Sequence, residues 1–149
     1  MLYRSLLVLI GLTFITTAAR ADLVADASAK NGPAGEPRRA DVCVYAATPA
    51  GILAAVAVAR EGRTVVIVEP SRWVGGILGA GIKPAQDCAN RPAVGGLTVQ
   101  VFAKAGGAPA PVRTYFQKLL AEHNIPVIYE HRLKAVEKEG RKITRLRLE

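Results

Sequence analysis

The sequence predicts an α/β fold with a parallel sheet, organised around one strand–turn–helix–strand unit. Two short apolar runs rich in β-branched residues, residues 41–45 and 64–68, are typical of strands buried in a parallel sheet. A strong helix-forming segment, residues 52–60, lies between them, and Gly62 marks where that helix should end. A helix that connects two parallel strands makes a βαβ unit, so this segment predicts the start of a doubly wound sheet.

The composition is that of one folded domain. The chain has 149 residues, of which 50% are hydrophobic and 21% are charged, which is enough to form a core. Lys and Arg number 20 against 12 Asp and Glu, but the charges are spread along the chain and aromatic residues make up only 5%. Nucleic-acid-binding surfaces concentrate basic and aromatic residues on one face, so we expect no nucleic-acid partner.

The first 21 residues have the organisation of a secretory signal peptide. A basic start with Arg4, an apolar run over residues 5–17 and a small-x-small triplet ending at Ala21 follow in the expected order. Because the run is shorter than the roughly 20 residues that span a bilayer, we expect cleavage after Ala21, with an uncleaved anchor as the alternative. The protein is then exported, periplasmic or secreted, with residues 22–40 as a flexible linker and residues 41–149 as the folded domain.

The turn between the first strand and the helix is typical of a dinucleotide-binding βαβ unit. The three glycine positions of a GxGxxG motif hold Ala46, Thr48 and Gly51. A helix that begins here offers unpaired N–H groups to a pyrophosphate, and Pro49 removes an N–H that would lack a partner anyway. Ala46 puts a methyl group at the tight point of the turn, where we expect it either to fit, if its φ is negative, or to weaken phosphate binding. The alternative is a βαβ unit that holds no nucleotide.

An acidic residue follows the second strand at the spacing that ribose recognition requires. Glu69 lies 23 residues after Ala46, close to the spacing of about 20 at which a carboxylate binds a ribose diol. Its negative charge would repel a 2′-phosphate, which disfavours NADP.

Residues 41–82, DVCVYAATPAGILAAVAVAREGRTVVIVEPSRWVGGILGAGI, resemble the amino-terminal part of the FAD-dependent oxidoreductases of the glutathione-reductase-like superfamily. In particular, they resemble the exported bacterial group called FAD-dependent oxidoreductases, sometimes xanthan lyases, whose members carry the turn G-G-T-P-A-G. Further matches are the glycine-rich loop of residues 79–82, Asp87 and a helix start at residues 94–97.

The resemblance implies FAD as the cofactor and redox chemistry on an unknown small-molecule substrate. It implies that Glu69 and Arg72 lie near the adenosine ribose, and that Gly75 and Gly76 let the backbone approach the flavin end. The residues that would face the pyrophosphate are Ala46, Ala47, Thr48, Pro49, Ala50 and Gly51. It also implies that the chain is the front part of a longer flavoprotein, with the Rossmann-like domain incomplete at its carboxyl end.

The remaining segments are predicted to be two helices, a third parallel strand and a hairpin of a small antiparallel layer. The predicted ranges are helices at 95–104 and 112–123, a loop at 106–111, a strand at 126–129 and hairpin strands at 132–138 and 142–148. Asn124 is the expected carboxyl cap of the second helix, and the hairpin should turn at Glu139-Gly140.

The remaining reactive side chains form no catalytic or metal-binding motif in the sequence. Cys43 is expected to be a buried small hydrophobe, whereas Cys88 lies in a polar loop, and neither belongs to a CxxC pair. His123 and His131 are isolated, so we expect both to be exposed and without a catalytic role. Trp73 is expected to cover the sheet edge or to join the core.

Two other functions fit the sequence. One is a non-catalytic module that binds an adenine dinucleotide. The other is a truncated fragment without function, in which the terminal hairpin lacks neighbouring strands and exposes an edge.

Overall fold

The computed structural model describes residues 23–26, 38–81, 90–105 and 109–149. The strands are β1 (Leu23–Asp26), β2 (Arg38–Ala40), β3 (Val42–Tyr45), β4 (Val65–Glu69), β5 (Val127–Tyr129), β6 (Leu133–Glu139) and β7 (Lys142–Leu148). The helices are α1 (Pro49–Arg60), α2 (Gly76–Ala80), α3 (Gly96–Ala105) and α4 (Pro109–Glu122), with a short 3₁₀ helix at Arg91–Ala93. The predicted signal peptide, Asp87 and Cys88 lie outside the described residues.

Strands β3, β4 and β5 form a parallel sheet with β4 in the centre, as the fold-class prediction requires. The register places Val42 beside Val65, and Ile67 beside Val127. Helix α1 connects β3 to β4, so the predicted βαβ unit is present. All five residues of β4 are buried, because both faces of the sheet are covered, and this accounts for the continuous apolar sequence of the strand.

The main core lies between one face of this sheet and the helices. Ile52 and Val56 of α1, Ile67 of β4 and Phe116 of α4 are all fully buried there. Burial of side chains of this size contributes about 1.5–3 kcal/mol each to the free energy of unfolding. Val101 of α3 and Leu119 and Leu120 of α4 are buried as well, while Leu97, Phe102 and Tyr115 are half-buried.

Helix α4 begins earlier than its sequence indicates. It starts at Pro109, within the segment predicted to be a loop. Proline is compatible with the first turn of a helix because no backbone acceptor awaits its missing N–H there, so Pro109 and Pro111 do not delay the helix. At the other end Asn124 has φ +52°, the left-handed conformation expected of a carboxyl cap.

A second sheet, in the order β2-β1-β7-β6, covers the opposite face of the parallel sheet. Its contact with the parallel sheet is a smaller core cluster that contains Val66, Val68, Ile128 and Leu148. The predicted hairpin is confirmed: β6 and β7 pair antiparallel around Gly140. Strand β7 also pairs with β1, so the expectation that the hairpin lacks neighbours is wrong.

Strands β1 and β2 both lie within residues 22–40, the segment predicted as a flexible linker. They pair antiparallel with each other, and β1 also runs parallel to β7. The polar, Gly- and Pro-containing composition does not indicate these strands, because β1 pairs with β7, more than 100 residues later in the chain, and β2 pairs only with β1.

Cys43 lies in β3 and is half-buried, packed against the smaller core cluster. Burial raises the pKa of its thiol from 9.0 to about 11. The residue therefore behaves as the small hydrophobe that its sequence position predicts. Among the described residues, no helix is long and apolar enough to cross a membrane.

Candidate functional site

The carboxyl ends of the three parallel strands meet at one edge of the sheet. Tyr45, Glu69 and Tyr129 are the last residues of β3, β4 and β5, and Glu69 stands in register with Tyr129. Ligands of open α/β sheets bind at this edge, where the strands lead into the loops and helix amino termini. The site predicted from the sequence therefore lies at the expected end of the sheet.

Ala46 opens the turn in a left-handed conformation, with φ +79°. The negative φ under which we expect alanine to fit is therefore not present. Its N–H donates to the carbonyl of Val68 over 2.7 Å, which continues the β3–β4 ladder and fixes the residue. The backbone thus takes the conformation that glycine would favour, at a cost of roughly 1–2 kcal/mol for the Cβ of alanine.

Gly51 is required by the close approach of the turn to helix α1. A Cβ built on Gly51 would lie 2.4 Å from the carbonyl oxygen of Ala46, so no other residue fits without movement of the backbone. Thr48 caps the helix, because its Oγ1 accepts the N–H of Gly51 over 3.1 Å, and Pro49 follows as the first helical residue. These contacts fold residues 46–51 tightly against the end of β3.

Two backbone N–H groups at the start of α1 point to a ligand. Within the described part of the chain, no carbonyl or side chain accepts a hydrogen bond from the N–H of Thr48 or Ala50. The first turn of α1 carries no acidic residue, so the partial positive charge of the helix amino terminus is not offset there. Helix amino termini with such N–H groups are common binding sites for anions such as a diphosphate.

Glu69 is almost fully buried, with 8% of its surface exposed, and it connects the two halves of the site. Its Oε2 accepts the N–H of Ala47 over 2.6 Å, and its Oε1 accepts the N–H of Ser71 over 2.7 Å. An ionised carboxylate has about four acceptor positions, so each oxygen keeps one for a further donor. The two hydroxyls of a ribose are such donors.

The predicted Gly75-Gly76 loop packs directly against the turn. The N–H of Gly75 donates to the carbonyl of Ala47 over 2.7 Å. Both glycines have positive φ, +98° and +48°, and a Cβ on Gly75 would lie 2.9 Å from Cδ2 of Phe116. The predicted glycine-rich loop at residues 79–82 is different, because Gly79 and Ala80 belong to helix α2.

Arg72 and Tyr129 border this edge on the side of β5. The Nε of Arg72 lies 2.9 Å from Oε1 of Glu130, and the pair is largely exposed. Tyr129 is half-buried, and burial together with the negative charge of Glu69 raises the pKa of its phenol. Sequence reasoning included Arg72 but missed Ser71 and Tyr129. Ser71 lies two residues after Glu69, and Tyr129 is the last residue of the third parallel strand. These positions are the sequence signals that indicate both residues.

Both histidines differ from expectation. His131 is buried, with 5% of its surface exposed, and its Nδ1 lies 2.6 Å from the carbonyl oxygen of Tyr129. His123 is half-buried and lines a cavity of about 510 Å³ at the amino ends of the strands, with Arg38, Arg63 and Asn124. That cavity lies at the opposite end of the sheet from Glu69.

Comparison with known protein families gives one match. The family model described as "FAD dependent oxidoreductase" matches residues 41–149, which begin just before β3 and include every residue of the site. No curated protein matches the chain.

Several solved structures are similar to parts of the chain. THI4 of Thermovibrio ammonificans is 14% identical, with a TM-score of 0.48 over 70% of this chain and 44% of its own. AlpK is 18% identical, with a TM-score of 0.45 over 70% and 26%. PqsL of P. aeruginosa, solved with 2-aminobenzoylacetate, is 15% identical, with a TM-score of 0.44 over 71% and 38%. The chain thus spans less than half the length of each of these proteins.

Proposed function

The chain belongs to the family of FAD-dependent oxidoreductases, and from this membership we propose that the edge formed by residues 46–51 and Glu69 binds FAD. The observation that carries the proposal is the conformation of the turn. Ala46 keeps the left-handed φ of a motif glycine, and Gly51 leaves no space for a side chain. Such a turn lets the phosphates of a dinucleotide approach the backbone.

The residues of this edge fit the adenosine diphosphate half of the cofactor. We assign the pyrophosphate to the N–H groups of Thr48 and Ala50, which have no acceptor among the described residues. The ribose hydroxyls are assigned to the carboxylate of Glu69, whose oxygens each keep an acceptor position. Arg72 borders the ribose, and Gly75 and Gly76 let the backbone approach the flavin end.

When bound, the flavin supplies reversible uptake of a hydride or of electrons from a small-molecule substrate, which is chemistry that no side chain provides. The contribution of this chain is to bind and orient the cofactor. Glu69 also selects among cofactors, because its negative charge repels a 2′-phosphate and so disfavours NADP.

We also propose the superfamily to which the protein belongs and its location in the cell. The G-G-T-P-A-G-like turn supports the glutathione-reductase-like superfamily and its exported xanthan lyase group. Residues 1–21 support export to the periplasm or the medium. A complete sheet of the doubly wound class has five or six strands, and the described residues supply three in the parallel sheet, which supports a longer flavoprotein.

The proposal is tested by incubating the purified chain with FAD, removing free cofactor by gel filtration and recording absorbance between 350 and 500 nm. We expect a flavin spectrum that elutes with the protein. The test variant is Gly51→Ala, whose Cβ would lie 2.4 Å from the carbonyl oxygen of Ala46 and which should lose the flavin. Its matched control is Gly95→Ala, whose added Cβ meets no atom within 4 Å and which should retain the flavin. A folded protein that elutes without flavin but binds ADP would favour the non-catalytic dinucleotide module.

A further inference from the structure

Trp73 is the one tryptophan of the chain and lies on the loop between Glu69 and Gly75. It is not a core residue, because 55% of its surface is exposed. The guanidinium carbon of Arg113, from helix α4, lies 5.0 Å from the centre of the indole ring, within the range of a cation–π contact. Arg113 therefore lies over one face of the ring, which leaves the opposite face, called the open face below, for any ligand that stacks on this exposed residue.

The position of the indole is coupled to the carboxylate of Glu69 through Ser71. The N–H of Ser71 donates to Oε1 of Glu69 over 2.7 Å. The hydroxyl of Ser71 accepts the N–H of Trp73 over 3.1 Å and donates to the carbonyl of Trp73 over 3.2 Å. The hydrogen bonds between Glu69 and Ser71 and between Ser71 and Trp73 thus hold the backbone of Trp73 at a fixed place relative to the carboxylate that would bind the ribose.

We propose that the open face of Trp73 stacks against the adenine of the bound dinucleotide. The inference rests on the proposed function, since the ribose assigned to Glu69 carries adenine directly on its C1′ atom. Every base has a flat π-surface that stacks on an aromatic side chain. Arg113 holds the ring from the opposite face. The indole is therefore already oriented for stacking before the ligand binds.

Arg113 is suited to this supporting role. A Cβ built on Gly79 would lie 3.7 Å from the Cβ of Arg113, so the base of this side chain lies beside helix α2. Among the described residues, no carboxylate pairs with the guanidinium to draw it away from the indole. Arg113 is thus a positioning residue, and Trp73 is the residue that contacts the base.

The first test uses the fluorescence of the single tryptophan. The full chain is titrated with ADP, which has adenine but no flavin, and with FMN, which has flavin but no adenine. We expect ADP to change the emission of Trp73 in a saturable way, and FMN at equal concentration to cause no change beyond the light that free FMN itself absorbs. ADP binding measured by calorimetry without a change in emission would overturn the inference.

The second test measures ADP affinity by calorimetry for Trp73→Leu, Trp73→Phe and Val136→Ala. Loss of the aromatic face should weaken binding about tenfold in Trp73→Leu, while Trp73→Phe stays within a few-fold of wild type. Val136 is also exposed, at 46%, but lies on β6, so its variant should bind normally. Normal binding by a folded Trp73→Leu variant would overturn this inference alone. A wild-type chain that binds neither ADP nor FAD would overturn the proposed function with it.

Discussion

The carboxylate of Glu69 accepts the N–H of Ala47 over 2.6 Å, although 22 residues separate the two in the chain. This bond connects the end of β4 to the turn that follows β3. The same side chain holds Ser71 with its other oxygen, so one carboxylate fixes both loops of the site. Glu69, which we assign to the ribose, thus also stabilises the turn of residues 46–51, which we assign to the phosphates.

We expect Glu69→Ala to lower the free energy of unfolding by about 1–3 kcal/mol, because it leaves the buried N–H of Ala47 without an acceptor. Urea unfolding followed by circular dichroism measures the change. Glu61→Ala is the control, since Glu61 is exposed at the end of α1 and its loss should change stability by less than about 0.5 kcal/mol. Equal stability of the two variants would contradict the supporting role of Glu69.

Ala46→Gly should stabilise the protein, by about 0.5–1 kcal/mol, because glycine adopts a φ of +79° without the steric cost of a Cβ. Ala50→Gly removes the same methyl group, but Ala50 lies in the first turn of helix α1. There the substitution should destabilise by a similar amount, since φ is right-handed. Thermal unfolding of both variants gives the signs, and a loss of stability in Ala46→Gly would show that the turn is not strained.

Gly51→Ala should destabilise the protein by about 2 kcal/mol or more, since its Cβ would lie 2.4 Å from the carbonyl oxygen of Ala46. Gly95→Ala, which adds the same methyl group in open space, should change stability by less than about 0.5 kcal/mol. Urea unfolding of the two variants makes the comparison. A Gly51→Ala variant as stable as wild type would mean that the turn is looser than described.

The thiol of Cys43 should react slowly because burial raises its pKa to about 11. In a Cys88→Ser background, the folded protein should be alkylated by iodoacetamide at pH 8 about 100-fold more slowly than the unfolded chain, whose thiol keeps its ordinary pKa. The rate should rise as pH approaches 11. The stability that comes from keeping this thiol neutral is complete below pH 9 and is lost as pH rises towards 11. Equal alkylation rates of folded and unfolded protein would contradict this account.

The βαβ unit could be predicted because its signals are local. The two apolar runs, the helix former between them and the spacing from Ala46 to Glu69 each depend only on nearby residues. Residues 46–51, Glu69, Gly75 and Gly76 lie together at one edge, because strand ends determine where loops meet.

Other features depend on distant partners, and the sequence alone does not predict them. The φ of Ala46 reverses the expectation for alanine, because the bond to Val68 outweighs the local preference. Burial of His131 follows from the placement of β5 beside β4. Trp73 is exposed, and it contacts Arg113, which lies 40 positions later in the chain.

The most direct test of the FAD site is a calorimetric titration of the full chain and of Glu69→Gln with FAD. The variant keeps the size of the side chain but replaces one acceptor oxygen by a donor, so it can no longer accept hydrogen bonds at both positions. We expect wild type to bind one FAD per chain and the folded variant to bind at least tenfold more weakly. Equal affinities, or a folded wild-type chain that binds no FAD, would contradict the assignment of this edge as the cofactor site.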